Sequence, residues 1–563
     1  MNTTETEVEA GQRSGGQVLV DALRIHGVDR VFCVPGESYL AALDALHDVS
    51  DEIALTVCRQ EGGASYMAEA YGKLTGRPGI CFVTRGPGAS NAAIGVHTAF
   101  QDSTPMLLFV GQVGRGEMER EAFQEIDYRH MFGKVAKWVV QIEDAARIPE
   151  LVGQAFHRAV NGRPGPVVVV LPEDVLSDQV SVPDAGPYKV FSMTPGNEEL
   201  SDLRSLLLTS SRPFMVVGGG GWDERAVADI RGFAENFDLP VAASFRCQDL
   251  FDNAHPNYVG DLGLAAGATL RDGMREADLL LVVGARLGEI STAGYTLVDS
   301  PVPRQKLIHV HLGIEELGRV FQPVLGINSS MHAFAKCAAA LPRPATIDWA
   351  ERTRRLRAAY AAAQRPLKSP GAVQLSDIMV WLSENLPADA ILTNGAGNYS
   401  AWIQRHYQFR QYRTQLGPTN GTMGYGVPAA VAAKLVEPQR TVIAFAGDGC
   451  FLMNGQELAT AVRYRANLIV IVVNNGMYGT IRMHQERRYP GRVSGTDLVN
   501  PDFVMFARSF GCHGELVEHT GQFAGAFERS LHAGKPALIE IRVDPDALTP
   551  AMSLGEIRAK ALG

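Results

Sequence analysis

Two apolar runs that end in polar ligands constrain this chain more than any other feature. Residues 442–446 (VIAFA) read as a buried strand and stop at Gly447-Asp448-Gly449. Residues 468–473 (LIVIVV) read as a second strand and stop at Asn474-Asn475. The span 456–464 between them has helical composition, so the segment predicts a βαβ unit with parallel strands. Open parallel sheets bind ligands at the carboxyl ends of their strands, and both polar pieces stand there. A carboxylate and an amide oxygen suit Mg2+, a hard cation that commonly bridges to a cofactor phosphate. The glycines let the backbone approach a diphosphate closely. Gly-Asp-Gly alone reads equally well as a strand-end turn with a capping Asp; its pairing with Asn-Asn at this spacing favours the metal-diphosphate reading.

The bulk numbers set the class. A chain of 563 residues exceeds one hydrophobic core, and about two to four domains are expected. A hydrophobic share of 46% with 20% charged residues is that of a soluble globular protein. The net charge of −9 comes without a basic stripe, which argues against a nucleic-acid partner. No apolar run is long enough to span a membrane. The seven cysteines lack CxxC pairs or metal-ligand spacing, and no secretory segment precedes them. A reduced, cytoplasmic compartment is therefore expected.

Strand-like runs alternate with helical stretches along the whole length, which predicts α/β architecture: three doubly wound parallel-sheet domains. Residues 1–15 are polar and read as a disordered tail. The first domain is expected over 16–182, with strands near 30–34, 80–84, 106–110 and 167–171. The last of these is unbroken aliphatic, as in a strand covered on both faces. A Pro/Gly-rich linker is expected over 183–197. A middle, Rossmann-like domain follows over 198–342, with strands near 213–217, 279–283 and 307–311. Then come a partly helical linker over 343–371, a third domain over 372–546 and a tail over 547–563. The first and third domains look like echoes of one another. Each has a strand, a Gly-rich turn and a helix of small residues, at 84–91 and 421–426.

Several further motifs occur in a fixed order: Val34-Pro35-Gly36-Glu37, Arg59-Gln60-Glu61-Gly62-Gly63-Ala64, Thr84-Arg85-Gly86-Pro87-Gly88-Ala89-Ser90-Asn91, Ala122-Phe123-Gln124-Glu125 and Gly162-Arg163-Pro164-Gly165-Pro166. With the Gly-Asp-Gly/Asn-Asn pair, they make the chain resemble thiamine diphosphate-dependent enzymes of the acetolactate synthase type (the large catalytic subunit), over nearly its whole length. The resemblance implies a pyrimidine-binding domain, a middle domain and a diphosphate/Mg2+-binding domain. It also implies active sites between subunits, hence a homodimer or homotetramer. Glu61 is implied to hydrogen-bond the pyrimidine nitrogen of the coenzyme, so that the exocyclic amine becomes the base for the thiazolium C2 proton. Pro35 lies on the same side. Met423 is implied to prop the coenzyme into a bent shape, with the Gly421 backbone accepting from the amine. Asp448, Asn475 and the Met477 carbonyl are the implied Mg2+ ligands. Gly449 and Cys450 offer N–H groups at a helix start to phosphate oxygens. Gly447, Gly395, Ala396, Gly397, Asn398, Tyr399, Tyr478 and Gly479 complete the implied diphosphate bed.

The substrate side departs from the relatives. Glu37 stands where acetolactate synthases have a small residue and pyruvate decarboxylases an acid, so it is a candidate acid/base. Gln124 matches an active-site glutamine of the synthases. His484 falls where they place a Trp that shapes the second-substrate pocket. Ile290 stands where their second-substrate Arg would sit, and Glu173 replaces a common Lys. The Gly218–Gly221 loop after a strand is a weak dinucleotide signal. Acetolactate synthases bind FAD in the middle domain, and here Gly284-Ala285-Arg286 is kept but His311-Leu312-Gly313 stands where an Asp-rich segment is usual, so the resemblance implies FAD as a possible cofactor.

The expected activity is transferase or lyase chemistry on a small-molecule 2-oxo acid: decarboxylation, then ligation of the enamine to a carbonyl acceptor. The alternatives are a non-ligating 2-oxo acid decarboxylase or a 2-hydroxy ketone lyase. A non-catalytic thiamine diphosphate-binding regulator would have no use for the proton-relay Glu61, which argues against it.

Overall fold

The computed structural model describes residues 11–563. They form two compact units, divided between Phe191 and Ser192. The first unit holds one six-stranded, all-parallel sheet. Its strand order is Ala54–Val57, Arg30–Cys33, Gly79–Val83, Met106–Gln112, Pro166–Pro172, Trp138–Gln141. Alternate residues of its central strands (Val31, Ile80, Phe82, Leu107, Phe109, Val167, Val169) pack on the helices Gly15–Ile25, Leu40–Asp48 and Ile148–Val160. The intervening residues Phe32, Cys81, Leu108 and Val168 are equally buried, and the helices Glu61–Thr75 and Gly86–Asp102 pack against the same strands. Burial on both faces is why these strands read as unbroken aliphatic runs.

The second unit holds two more six-stranded parallel sheets. One has the order Tyr258–Leu262, Val241–Ser244, Pro213–Val217, Leu279–Val283, Lys306–His311, Leu325–Asn328. Numbered along the chain this is 3-2-1-4-5-6, the dinucleotide-fold order. The other has the order Gln415–Leu416, Ile391–Asn394, Val442–Gly447, Ile469–Asn474, Ala537–Arg542, His513–Val517. Numbered the same way, this sheet and that of the first unit both read 2-1-3-4-6-5. The echo between the first and third domains is thus one topology used twice.

Three boundaries differ from expectation. Residues 1–10 of the expected tail lie outside the described residues, but Arg13–Ser14 pair antiparallel with Gln179–Val180 and a helix starts at Gly15. Ser14 caps that helix in a reciprocal box with Gln17. The stretch 343–371 contributes a helix, Ala350–Ala363, whose Leu356 and Tyr360 enter the middle-domain cores together with Trp349. The expected C-terminal tail carries the helix Leu554–Leu562. Its Leu554 and Ile557 pack on Met483 and Leu548, and Arg558 donates to both carboxylate oxygens of Glu486 at 2.8 and 2.7 Å. Helix content in 343–371 matches expectation, but polar composition hid its packing into the cores and hid the C-terminal helix, because a few apolar anchors suffice to dock a helix.

Candidate active site

In the C-terminal sheet the strand order reverses direction between Ile391–Asn394 and Val442–Gly447. A ligand crevice is expected beyond the carboxyl ends at such a switch point. The two loops leaving those strands are Gly395-Ala396-Gly397 and Gly447-Asp448-Gly449. Asp448 is buried, with one oxygen accepting from its neighbour Gly449 N at 2.9 Å and the other from Asn500 Nδ2 at 2.8 Å. Burial pushes its carboxyl above the usual aspartate range. Asn500 Nδ2 also donates to Asn474 Oδ1 at 3.0 Å, which ties the two strand ends together. Asn500 Oδ1 is buried without a hydrogen-bond partner. Asn475 folds over its own turn, its Oδ1 accepting from Met477 N at 3.3 Å, and Gly476 takes φ +67°. The Met477 carbonyl accepts from Gly479 N at 2.9 Å, and Tyr478 N donates to Thr496 O at 2.9 Å.

These residues fit a divalent cation on a diphosphate. The Asp448 carboxylate and the amide and carbonyl oxygens of Asn475 and Met477 are hard oxygen donors, and the burial of that carboxylate is a cost that a cation would offset. Gly449 is needed for close approach, since a Cβ there would lie 2.5 Å from the Tyr478 ring. Asp448–Phe451 forms one helical turn, with Gly449 and Cys450 inside it.

The segments carrying Tyr399 and Gly424 are joined through Cys450. Its thiol accepts from Gly424 N at 3.2 Å and lies 3.5 Å from the Tyr399 hydroxyl. Burial raises both the thiol and the phenol. Gly421 and Gly424 adopt φ +68° and +78°, so the turn that presents half-buried Met423 requires them. Asn454 Nδ2 donates to Gly424 O at 3.0 Å from below. Asn398 accepts from Thr480 Oγ1 at 2.9 Å, on the helix Gly479–Arg488.

In the first unit the corresponding strand ends carry the other implied residues. Glu61 is the first residue of its helix, capped by Gln60 Oε1 on Gly63 N at 3.0 Å. Its Oε2 accepts from Asn91 Nδ2 at 2.9 Å, and a Cβ on Gly88 would lie 3.6 Å from its Oε1. Pro35 and Glu37 are exposed. Their loop is locked at Gly36, where a Cβ would strike Thr84 at 2.4 Å, and by a 3.0 Å hydroxyl bond between Ser38 and Thr84. Gln124 sits at φ +66° with its carbonyl accepting from Gly86 N at 2.9 Å. The switch-point loops of this sheet therefore bring the Pro35–Glu37 segment and Gln124 onto the same short stretch, Thr84–Gly88.

Glu173, Ile290 and His484 stand in three different surroundings. Glu173 is ion-paired with buried Arg85. Ile290 lines a cavity of about 230 Å³ with Leu262, Leu264, Leu297, Arg271 and Glu289. His484 is exposed on its helix, and partial burial together with Arg487 and Arg488 lowers its imidazole pKa. In the middle domain, Gly219 (φ +70°) would place a Cβ 2.1 Å from Gly284 O, and Trp222 Nε1 donates to Gly218 O at 2.9 Å. Contact between these two loops accounts for the glycines there.

Asn91, Asn454, Asn500 and Arg246 were not singled out from sequence. Asn91 lies within a quoted motif and could have been found there; the others carry no local signal.

Comparison with known proteins agrees with this geometry. Residues 13–131 match the N-terminal TPP binding domain of thiamine pyrophosphate enzymes, 200–337 their central domain and 395–541 their C-terminal TPP binding domain. The acetolactate synthase large subunit of Parasynechococcus marenigrum (strain WH8102) is 33% identical over 547 residues, covering 94% of this chain and 87% of that protein. The acetolactate synthase isozyme 2 large subunit of Escherichia coli (strain K12) is 31% identical over 538 residues, covering 94% and 96%. Three matched domains, in order and on the sheets that carry the site, show that the chain belongs to the thiamine pyrophosphate enzyme family, among the relatives of acetolactate synthase large subunits.

Proposed function

We propose that this protein is a thiamine diphosphate- and Mg2+-dependent carboligase that acts on a 2-oxo acid, working as a homo-oligomer with active sites between subunits. The observation that carries the reading is the meeting of Asp448 with the Asn474-Asn475 turn, through Asn500, at adjacent strand ends. When bound, thiamine diphosphate supplies the electron sink for decarboxylation. Asp448, Asn475 and the Met477 carbonyl would hold the cation, and the Gly449 and Cys450 N–H groups the phosphate oxygens. Glu61 would hold the proton at the pyrimidine nitrogen, with Asn91 fixing its carboxylate. Met423 would support the bent coenzyme. Glu37, Gln124 and His484 would line the substrate side, Glu37 as proton donor or acceptor. No step in this reading requires a flavin.

A second reading, a non-ligating decarboxylase, is favoured by Ile290, which puts an apolar side chain where a carboxylate-binding Arg would serve an acceptor acid. Product analysis decides between them. The protein, loaded with thiamine diphosphate and Mg2+, is supplied with pyruvate and a panel of 2-oxo acids. A ligated hydroxy-keto product, such as acetolactate from pyruvate, supports the carboligase. Aldehyde alone supports the decarboxylase, and absence of CO2 release from every acid rejects both.

A further inference from the structure

We propose that Arg246, a residue of the middle domain, is a positioning residue for the coenzyme: its guanidinium holds the two loops of the diphosphate-binding domain on which the coenzyme rests. The inference depends on the reading of those loops given above.

Arg246 follows the strand Val241–Ser244 and adopts φ +61°, a left-handed conformation that non-glycine residues seldom take. That turn directs its side chain out of its own sheet. The residue is 5% exposed. Nη2 donates to the Gly395 carbonyl at 2.8 Å, and Nη1 donates to the Pro418 carbonyl. Gly395 opens the 395–397 loop at the switch point. The Pro418 carbonyl also accepts from Gly421 N at 3.1 Å, closing the turn that sets Gly421 at φ +68° ahead of Met423. One planar fork thus fixes the origin of the diphosphate-side loop and the origin of the Met423 loop relative to each other. Gly417 leaves room for it, since a Cβ there would lie 3.1 Å from Arg246 Cδ.

The residue type matters. A guanidinium presents donors in a rigid plane and can serve two carbonyls at once, whereas an ammonium is a point charge on a flexible stem. An apolar side chain could fill the volume but would remove the charge-assisted donor from each carbonyl, leaving Gly395 O to Asn394 Nδ2 and Pro418 O to Gly421 N, without the fork between the two loops. The neighbouring contacts of the same junction do not do this work. Gln248 donates its side chain to the Gln404 carbonyl at 2.9 Å and its N–H to Gln415 Oε1 at 2.8 Å, touching neither loop.

The test is calorimetric titration of the full-length protein with thiamine diphosphate at saturating Mg2+, alongside thermal melts of the coenzyme-free proteins. Wild type, Arg246→Met, Arg246→Lys and Gln248→Ala are compared. The expected result is a Kd about tenfold or more higher in Arg246→Met, from losing charge-assisted hydrogen bonds, with Arg246→Lys between it and wild type. Gln248→Ala loosens the junction and keeps the wild-type Kd. A Kd in Arg246→Met within twofold of a binding wild type overturns the inference and leaves the family reading standing. So does equal weakening in Gln248→Ala, which would make the effect a general one of the junction. If Arg246→Met does not fold, Arg246→Lys decides, and an undiminished affinity there overturns the fork argument. Failure of the wild type itself to take up the coenzyme overturns the reading of the loops and this inference together.

Discussion

Glu61 shows how few contacts are needed to fix a side chain. It takes the first position of a helix, where a carboxylate is favoured by the unpaired N–H groups, and Asn91 holds one of its oxygens at 2.9 Å. The remaining oxygen lies beside Gly88, where the missing side chain keeps an approach open. Replacing it by Gln keeps the shape and removes the exchangeable carboxyl proton. Glu61→Gln is expected to slow hydrogen–deuterium exchange at C2 of bound thiamine diphosphate by about 100-fold or more, as for loss of a general acid–base group. Proton NMR of the quenched coenzyme measures it, and unchanged exchange would reject the role. Asp448 was marked as a candidate by the spacing of Gly-Asp-Gly and Asn-Asn, whereas Glu61 and Met423 became candidates only through the resemblance to the family. Asn500 was marked by neither: its partners Asp448 and Asn474 lie 52 and 26 positions away in the chain, and a single Asn in a loop has no periodicity to mark it.

At the scale of elements, the aliphatic strands were the easy part. Central strands such as Pro166–Pro172 and Ile469–Asn474 are covered on both faces and so have continuous apolar sequence. Edge strands are short or mixed, as in Trp138–Gln141, Gln415–Leu416 and His513–Val517, and only pairing with a neighbour defines them. The C-terminal helix belongs with these hidden elements. Arg558 clasps buried Glu486, and that pairing lowers the Glu486 carboxyl to about 2 from an ordinary 4.5. A carboxyl pKa depressed by folding adds stability above its unfolded value, and that stability is lost as pH falls through the folded value. Arg558→Ala is therefore expected to cost about 1–2 kcal/mol near neutral pH, a figure kept small because the Arg558 side chain is 40% exposed. The difference from wild type should shrink between about pH 4.5 and 2. Denaturant unfolding at several pH values measures it; a pH-independent difference would mean that packing, not the ion pair, docks the helix.

At the scale of the molecule, the chain uses one strand order at both ends and a different one between. The stretch 343–371 illustrates what the whole imposes on a part. Its Arg- and Ala-rich composition reads as a connection, yet Trp349, Leu356 and Tyr360 complete the two cores that cover the middle sheet. Leu356→Ala in the full chain is expected to destabilise the protein by about 2–5 kcal/mol, the cost of emptying a buried leucine site. Unfolding monitored by fluorescence and calorimetry checks this, and a loss below about 1 kcal/mol would return the segment to the status of a linker. The sequence by itself determined the class and the three parallel sheets, and it marked the polar, glycine-rich loops at their strand ends, because doubly buried strands and glycine-bounded loops are local patterns. Tertiary structure alone decided which amides reach Asp448, which helix seals the middle domain and which arginine spans two loops. Those contacts join residues far apart in the chain, and the polar groups that make them keep the same local sequence whether buried or solvated.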